Sequence, residues 1–184
     1  MEELEIRTPL AEEDAKRLRA GDRVLLTGKI YTARDAVHQR LLDLLKKRKR
    51  LPFDPEGQII FYAGPTPAKP GESIGAIGPT TAGRMDEHTI PLLRLGLKGT
   101  IGKGQRSKDV KEALKKYKAV YFVATGGTAA LLKKTVKAAR ILAYADLGPE
   151  ALRELVVEKM PLVVANDTLG NDLFEQGQAR YRKN

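Results

Sequence analysis

The sequence predicts an α/β fold with a mixed sheet, and three observations carry that prediction. Apolar runs rich in β-branched and aromatic residues, such as RVLLTGKIYT, QIIFYAGP and KAVYFVAT, alternate with helical segments in the middle of the chain. Three further strand-like runs, RILAYADL, ELVVEKM and PLVVAND, then follow one another near the C-terminus, which makes the sheet mixed rather than purely parallel. Finally, 42% of the residues are apolar but none is Trp, so Leu, Ile, Val and Ala must fill a substantial core. The 184 residues suit one domain spanning the chain, with a polar tail from about residue 175. There is no internal repeat or low-complexity linker.

Taken in order, LEIRTPL reads as a short strand and AEEDAKRLRAGD as a short helix that stops near Gly21. RVLLTGKIYT is a strand. ARDAVHQRLLDLLKKRKR is helical, because Ala33, Val37, Leu41 and Leu45 share one face at i, i+4 spacing. Thr32 and Asp35 form a capping-box pattern, which makes Thr32 the expected N-cap and puts Arg34 in the first turn. QIIFYAGP is a buried-type strand, followed by the Gly- and Pro-dense loop TPAKPGESIGAIGPTTAG. MDEHTIPLLRLG is a short helix broken or kinked at Pro91. KGTIGKG is a strand edge and loop, and SKDVKEALKKY is a helix with Ser107 as N-cap. KAVYFVAT is a strand, and GGTAALLKKTVKAA is a Gly-Gly turn into a helix. The three late strands precede GNDLFEQGQARYRKN, a polar tail with room for one helical turn.

Composition narrows the chemistry. No apolar run approaches the roughly 18–20 residues that span a bilayer, and MEELEIRTPL is acidic with no apolar signal core, so the expectation is a cytoplasmic chain with no membrane contact. The chain has no cysteine, which excludes disulfides, thiol catalysis and thiolate metal ligation within it. His38 and His88 are the only histidines, too few for an ordinary His-based zinc site, so any metal chemistry must come from a partner. The net charge of +10 fits a nucleic-acid-binding face, an anionic small substrate or acidic partner, or a Lys/Glu-rich surface of the heat-stable kind. Lys46 to Arg50 reads as a solvated helix end whose cations complement the helix dipole.

Three cations stand at helix entrances. Arg34 precedes Asp35 at the head of one helix, and Arg84 precedes Asp86 and Glu87 at the head of another. Lys103 sits between Gly102 and Gly104, just before the helix capped by Ser107. A helix N-terminus carries partial positive charge, so a cation there calls for an intervening anion. Asp35 can be that anion for Arg34, or a ligand carboxylate can. Loops leaving parallel strands gather at one edge of an α/β sheet, where ligands bind. Two guanidiniums and an ammonium around a small pocket suit a dicarboxylate or a phosphate ester. Thr80 and Thr81, between Pro79 and Arg84, add hydroxyls, and Gly83 allows close backbone approach. ATGGTAALL reads as a tight strand-to-helix turn rather than a phosphate loop, and His38 as a structural histidine. Asp167 and Asp172 read as turn residues rather than a metal pair.

GKIYTARDAVHQRL, IFYAGPTPAKPGESIGAIGPTTAGRMD, GTIGKG, GGTAALL and NDTLGNDLF occur in that order. Over about Leu4 to Phe174 this set resembles the beta subunit of the class I iron–sulfur fumarate hydratases, and equally that of the L(+)-tartrate dehydratases. The resemblance implies a swivelling β/β/α domain. It implies an alpha subunit, in an α2β2 assembly, that binds a four-iron four-sulfur cluster through its own cysteines. It implies reversible hydration of fumarate to L-malate, a step of the tricarboxylic acid cycle, or the dehydration of tartrate to oxaloacetate. By motif, Arg34, Arg84 and Lys103 bind the carboxylates of the C4 dicarboxylate substrate, with Thr81 an alternative donor, and Thr80 faces the carbon that gains or loses a proton. The remote alternative is a basic nucleic-acid-binding domain, but interleaved aromatics and a recognition motif are lacking, so no nucleic-acid partner is expected.

Overall fold

The computed structural model describes residues 3–182. The chain forms β1 (Glu3–Arg7), α1 (Glu12–Arg17), β2 (Arg23–Thr32), α2 (Asp35–Lys46), β3 (Ile59–Phe61), α3 (Asp86–Arg94) and β4 (Gly99–Gly102). It continues through α4 (Lys108–Tyr117), β5 (Val120–Val123), α5 (Ala129–Thr135), β6 (Val136–Ala143), β7 (Leu152–Asn166) and α6 (Leu173–Tyr181). Short 3-10 stretches lie at Ala82–Met85 and Ala145–Glu150, the second kinked at Gly148.

The sheet is mixed, as expected. β1 through β5 are parallel: β2 pairs with β1 and β3, β3 with β4, and β4 with β5. β7 runs antiparallel to β2 from Arg153 to Val163. Its other edge takes β6 at Leu152–Val157 and β5 at Val163–Asn166. The pairings therefore close a ring of β2, β3, β4, β5 and β7, with β1 and β6 attached outside it.

Strand alternation assigns each residue to one of two cores. Ile59, Phe61, Ile101 and Phe122 pack with Ile30, Leu155 and Val157, between the parallel and antiparallel parts of the sheet. Ile60, Tyr62 and Tyr121 face the other way, against Val37 and Leu41 of α2, Leu92 and Leu93 of α3, and Val110 and Leu114 of α4. Two sheet layers and one helix layer result. At roughly 1.5–3 kcal/mol per fully buried large apolar side chain, these two cores supply the main driving force.

Several local expectations are corrected. ELVVEKM and PLVVAND form one strand, β7, not two. Lys159 (φ 50°) sits in a bulge opposite Thr27, where the register shifts and the Lys159 N–H donates to Thr27 Oγ1 at 3.0 Å. Pro161 falls between the parts of β7 that pair with β6 and β5, so no strand on that edge requires its N–H. KGTIGKG is no sheet edge: β4 is fully buried between β3 and β5. α3 runs through Pro91 uninterrupted, since only one backbone donor is lost while Thr89, Leu92 and Leu93 are buried. The helix after the Gly-Gly turn ends at Thr135, and Val136–Ala139 open β6. The expected polar tail is largely helix: Asp172 caps α6 by accepting from the Phe174 and Glu175 N–H groups, and Lys111 lies 2.6 Å from its carboxylate. Finally, Thr32 is not an N-cap. It ends β2 fully buried, and Arg34 occupies the N-cap position with extended backbone and no side-chain cap. Ser107 does cap α4, through a 3.4 Å bond from the Val110 N–H.

Candidate active site

Four parallel strands, β2 to β5, end on one side of the sheet, and the expected site residues lie just beyond those ends. Arg34 follows β2 and Lys103 follows β4. The loop after β3 returns as an extended segment. Thr80 N–H and the Thr80 hydroxyl both donate to the Tyr62 carbonyl, at 2.8 Å each. Lys103 N–H donates to Thr80 O at 3.0 Å and Ala82 N–H to Lys103 O at 2.9 Å, forming an isolated parallel bridge between Thr81 and Lys103. Lys103 Nζ then donates to Thr81 Oγ1 at 3.3 Å. The structure thus ties Thr80, Thr81 and Lys103 together through their backbones. Gly102 permits this approach, because a Cβ there would lie 2.9 Å from Ala82 Cβ and 3.3 Å from Thr80 O.

The two arginines are linked through α2. Arg84 Nε donates to Asp35 Oδ1 at 3.1 Å, and Arg84 Nη2 donates to Asp35 Oδ2. Burial alone raises the Asp35 carboxyl, but its own backbone N–H, the Arg84 guanidinium and the charge of Arg34 outweigh that and hold it below the ordinary carboxylate range. Arg34 itself pairs with Glu150 at 3.2 Å. Its Nε is buried with no hydrogen-bond partner. Gly64 leaves room for this guanidinium, since a Cβ there would lie 3.2 Å from Arg34 Nη1. The anion that Arg34 called for is therefore Glu150, while Asp35 chiefly serves Arg84. Thr81, Arg84 and Lys103 are exposed and Thr80 is half-buried, so this edge of the chain is an open surface.

Beneath it lies a polar cluster that sequence reasoning missed. The Arg106 side chain is fully buried. Its Nε donates to Asp86 Oδ1 at 2.7 Å, Nη1 to Thr100 Oγ1 at 3.0 Å and Nη2 to Thr89 Oγ1 at 2.8 Å. The guanidinium lies 5.4 Å from the Tyr62 ring centre and 5.0 Å from that of Tyr121. Asp86 Oδ2 also accepts from the Ser107 N–H at 2.6 Å. This cluster locks the start of α3, just after Arg84, to the segment just after Lys103. The available signal was an arginine immediately before an N-cap, which on sequence alone resembles any surface cation.

His38 is buried, and its Nδ1 lies 2.8 Å from the Arg34 carbonyl, which can only accept, so Nδ1 carries the proton. Nε2 is buried without a partner. Burial, helped by the charges of His88 and Arg106, lowers the ring pKa to about 4, so His38 is neutral at neutral pH. The site loop packs closely on the start of α5, where a Cβ on Gly78 would be 3.0 Å from Ala129 Cβ. The Gly-Gly turn itself is not closely packed, contrary to expectation: Gly126 and Gly127 are exposed, and a Cβ on Gly127 would meet nothing within 4 Å. Asp167 is a turn residue, accepting from the N–H groups of Ala20, Leu169 and Asn171. No three His, Asp or Glu side chains gather as metal ligands among the described residues, and no helix among them is long and apolar enough to cross a membrane.

Residues 1–177 match the Fumarase C-terminus family. The chain belongs to this family. Within it, the chain is 41% identical over 173 residues to a Methanocaldococcus jannaschii protein named "Putative L(+)-tartrate dehydratase subunit beta", covering 91% of this chain and 89% of that one. It is 34% identical over 179 residues to the L(+)-tartrate dehydratase subunit beta of Escherichia coli, covering 95% and 88%. It is 39% identical over 157 residues to the anaerobic class I fumarate hydratase of Escherichia coli, covering 84% of this chain but 28% of that longer protein. Relatives of both names are thus similar to nearly all of this chain, and those of its own length are called beta subunits. The family match extends across Arg34, Thr80, Thr81, Arg84 and Lys103.

Proposed function

We propose that this chain is the beta subunit of a C4-dicarboxylate hydro-lyase of the class I fumarate hydratase type, and that it supplies the carboxylate-binding half of the active site. One observation carries this reading: Arg34, Arg84 and Lys103 stand beyond the C-terminal ends of parallel strands, where the backbone bridge between Thr81 and Lys103 also brings Thr81 Oγ1 within 3.3 Å of Lys103 Nζ. Hydration of fumarate, or dehydration of malate, moves a proton at a carbon next to a carboxylate. Negative charge then builds on that carboxylate, and cationic donors already in place stabilise it more in the transition state than in the ground state. Arg34 and Arg84 suit bidentate contact with carboxylates, and Lys103 suits a movable point charge.

We assign proton handling to Thr80. Its hydroxyl donates to the Tyr62 carbonyl, which cannot take up a proton at neutral pH, so the base strength must come from an ionised group of the partner. The four-iron four-sulfur cluster belongs to the alpha subunit in this reading. With no cysteine and no cluster of acidic or histidine ligands among the described residues, this chain's side chains do not fit such a group.

Tartrate dehydratase is the second reading, favoured by the names of the relatives that match this chain end to end. The test is turnover of fumarate, L-malate, L(+)-tartrate and mesaconate by the chain reconstituted with its alpha subunit. Fumarate and malate are expected to interconvert. A kcat/KM for tartrate above that for fumarate selects the second reading, and failure on every C4 dicarboxylate overturns both.

A further inference from the structure

Each site arginine already holds a carboxylate from its own chain, but the two pairings differ. Asp35 meets Arg84 through two bonds, Nε and Nη2. Glu150 meets Arg34 through one contact at 3.2 Å, and leaves Arg34 Nε buried and without an acceptor. An unpartnered buried donor is costly, so this guanidinium is only partly satisfied by the residue beside it. A carboxylate arriving from outside could engage both edges of the fork.

The segment that presents Glu150 is held from behind. It follows Tyr144, which has φ 60°, and turns at Gly148, which has φ 56°. Arg153 grips its backbone, donating to the carbonyls of Gly148 at 2.8 Å, Pro149 at 3.0 Å and Ala151 at 3.2 Å. Arg40 anchors its start through Asp146 at 2.9 Å. The Arg34 side chain is confined on the other flank, since a Cβ on Gly64 would lie 3.2 Å from both Arg34 Nη1 and Pro149 O. Backbone and guanidinium are thus both braced. The Glu150 side chain is 29% exposed and has room to leave.

We propose that Glu150 is an internal placeholder for a substrate carboxylate on Arg34, and that its displacement sets the affinity of the site for C4 dicarboxylates. The proposal rests on Arg34 being a carboxylate clamp. An incoming dianion must both remove Glu150 and tolerate its charge nearby. Neutralising Glu150 removes the competitor and the repulsion together. A one-contact, partly exposed ion pair is weak, so the expected gain is modest, roughly two- to fivefold.

The experiment compares wild type, Glu150→Gln and Glu150→Ala, each reconstituted with the alpha subunit. It measures KM for fumarate, and the Kd of succinate, a non-reacting C4 dicarboxylate, by calorimetry. Melting temperature serves as a folding control, and the alanine variant stands if glutamine proves unstable. Lower KM and lower succinate Kd, by roughly two- to fivefold, support the proposal. Unchanged values overturn it. Weaker binding also overturns it and makes Glu150 a positioning residue for Arg34. If wild type neither binds succinate nor turns over any C4 dicarboxylate, the clamp reading falls and takes this one with it. A wild type that binds while the variants fail to tighten condemns Glu150 alone.

Discussion

Replacing Arg106 with methionine keeps most of the side-chain volume but strips out the buried guanidinium. The variant loses three hydrogen bonds, to Asp86, Thr89 and Thr100, and two ring contacts, with Tyr62 and Tyr121. Asp86, whose side chain is only 13% exposed, keeps just the Ser107 N–H as partner. Removing one member of a buried ion pair costs about 3–5 kcal/mol, most of it from the stranded charge. Against a total stability of about 5–15 kcal/mol, that is a large fraction. For a chain of this size it lowers Tm by roughly 6–20 °C. The assay is urea and thermal denaturation of the full chain followed by circular dichroism. Adding Asp86→Asn removes the stranded charge while preserving its acceptor for Ser107, and should restore part of the loss. A loss below about 1 kcal/mol, or a double variant no better than the single one, would refute the assignment of Arg106 as the lock beneath the site.

The remaining predictions concern the site and its support. Gly102→Ala forces a Cβ against Ala82 and the Thr80 carbonyl, and should cost about 1–3 kcal/mol of stability in denaturation while raising KM in the reconstituted enzyme. A wild-type stability and KM would show that the bridge between Thr81 and Lys103 is not under this constraint. His38 has a folded pKa of about 4 against an ordinary 6.5, so the folded state disfavours its proton. Its contribution is fully present above pH 6.5 and lost as the pH falls towards 4, at most about 3 kcal/mol. Stability curves of wild type and His38→Gln should therefore converge over that window, and parallel curves would contradict it. Thr80→Val should lower kcat more than it raises KM, whereas the reverse pattern in steady-state kinetics would make Thr80 a binding residue.

The broad fold was legible because it rests on periodicity. The alternating strands and helices from Arg23 to Val123, and the apolar face of α2, show directly in the sequence. What stayed hidden depends on neighbours distant in sequence. β4 carries Gly99 and Gly102, which lower strand propensity, yet a Cβ at Gly99 would come within 2.9 Å of Ile59, so glycine is what lets a central strand fit there. Met160-Pro161 read as a strand boundary because proline lacks a donor, but a bulge and a gap between partner strands absorb it. Thr32 and Asp35 match a capping box, yet strand pairing with β3 and β7 holds Thr32 in the sheet. The candidate site followed the same division. Arg34, Arg84, Lys103 and the threonines were visible from their loops. Glu150 was not, because it reaches Arg34 from a distant part of the chain, and neither was the Arg106 cluster, because Asp86, Thr89 and Thr100 converge on that guanidinium only in the folded chain.

The central claim is that Arg34 and Arg84 hold substrate carboxylates, and steady-state turnover of fumarate by the reconstituted pair tests it most directly. Arg84→Ala and Arg34→Ala should each lower kcat/KM by about 2–5 kcal/mol in transition-state stabilisation, from roughly thirtyfold to several thousandfold, with the fold intact by circular dichroism. Near-normal kcat/KM in both variants would contradict the account.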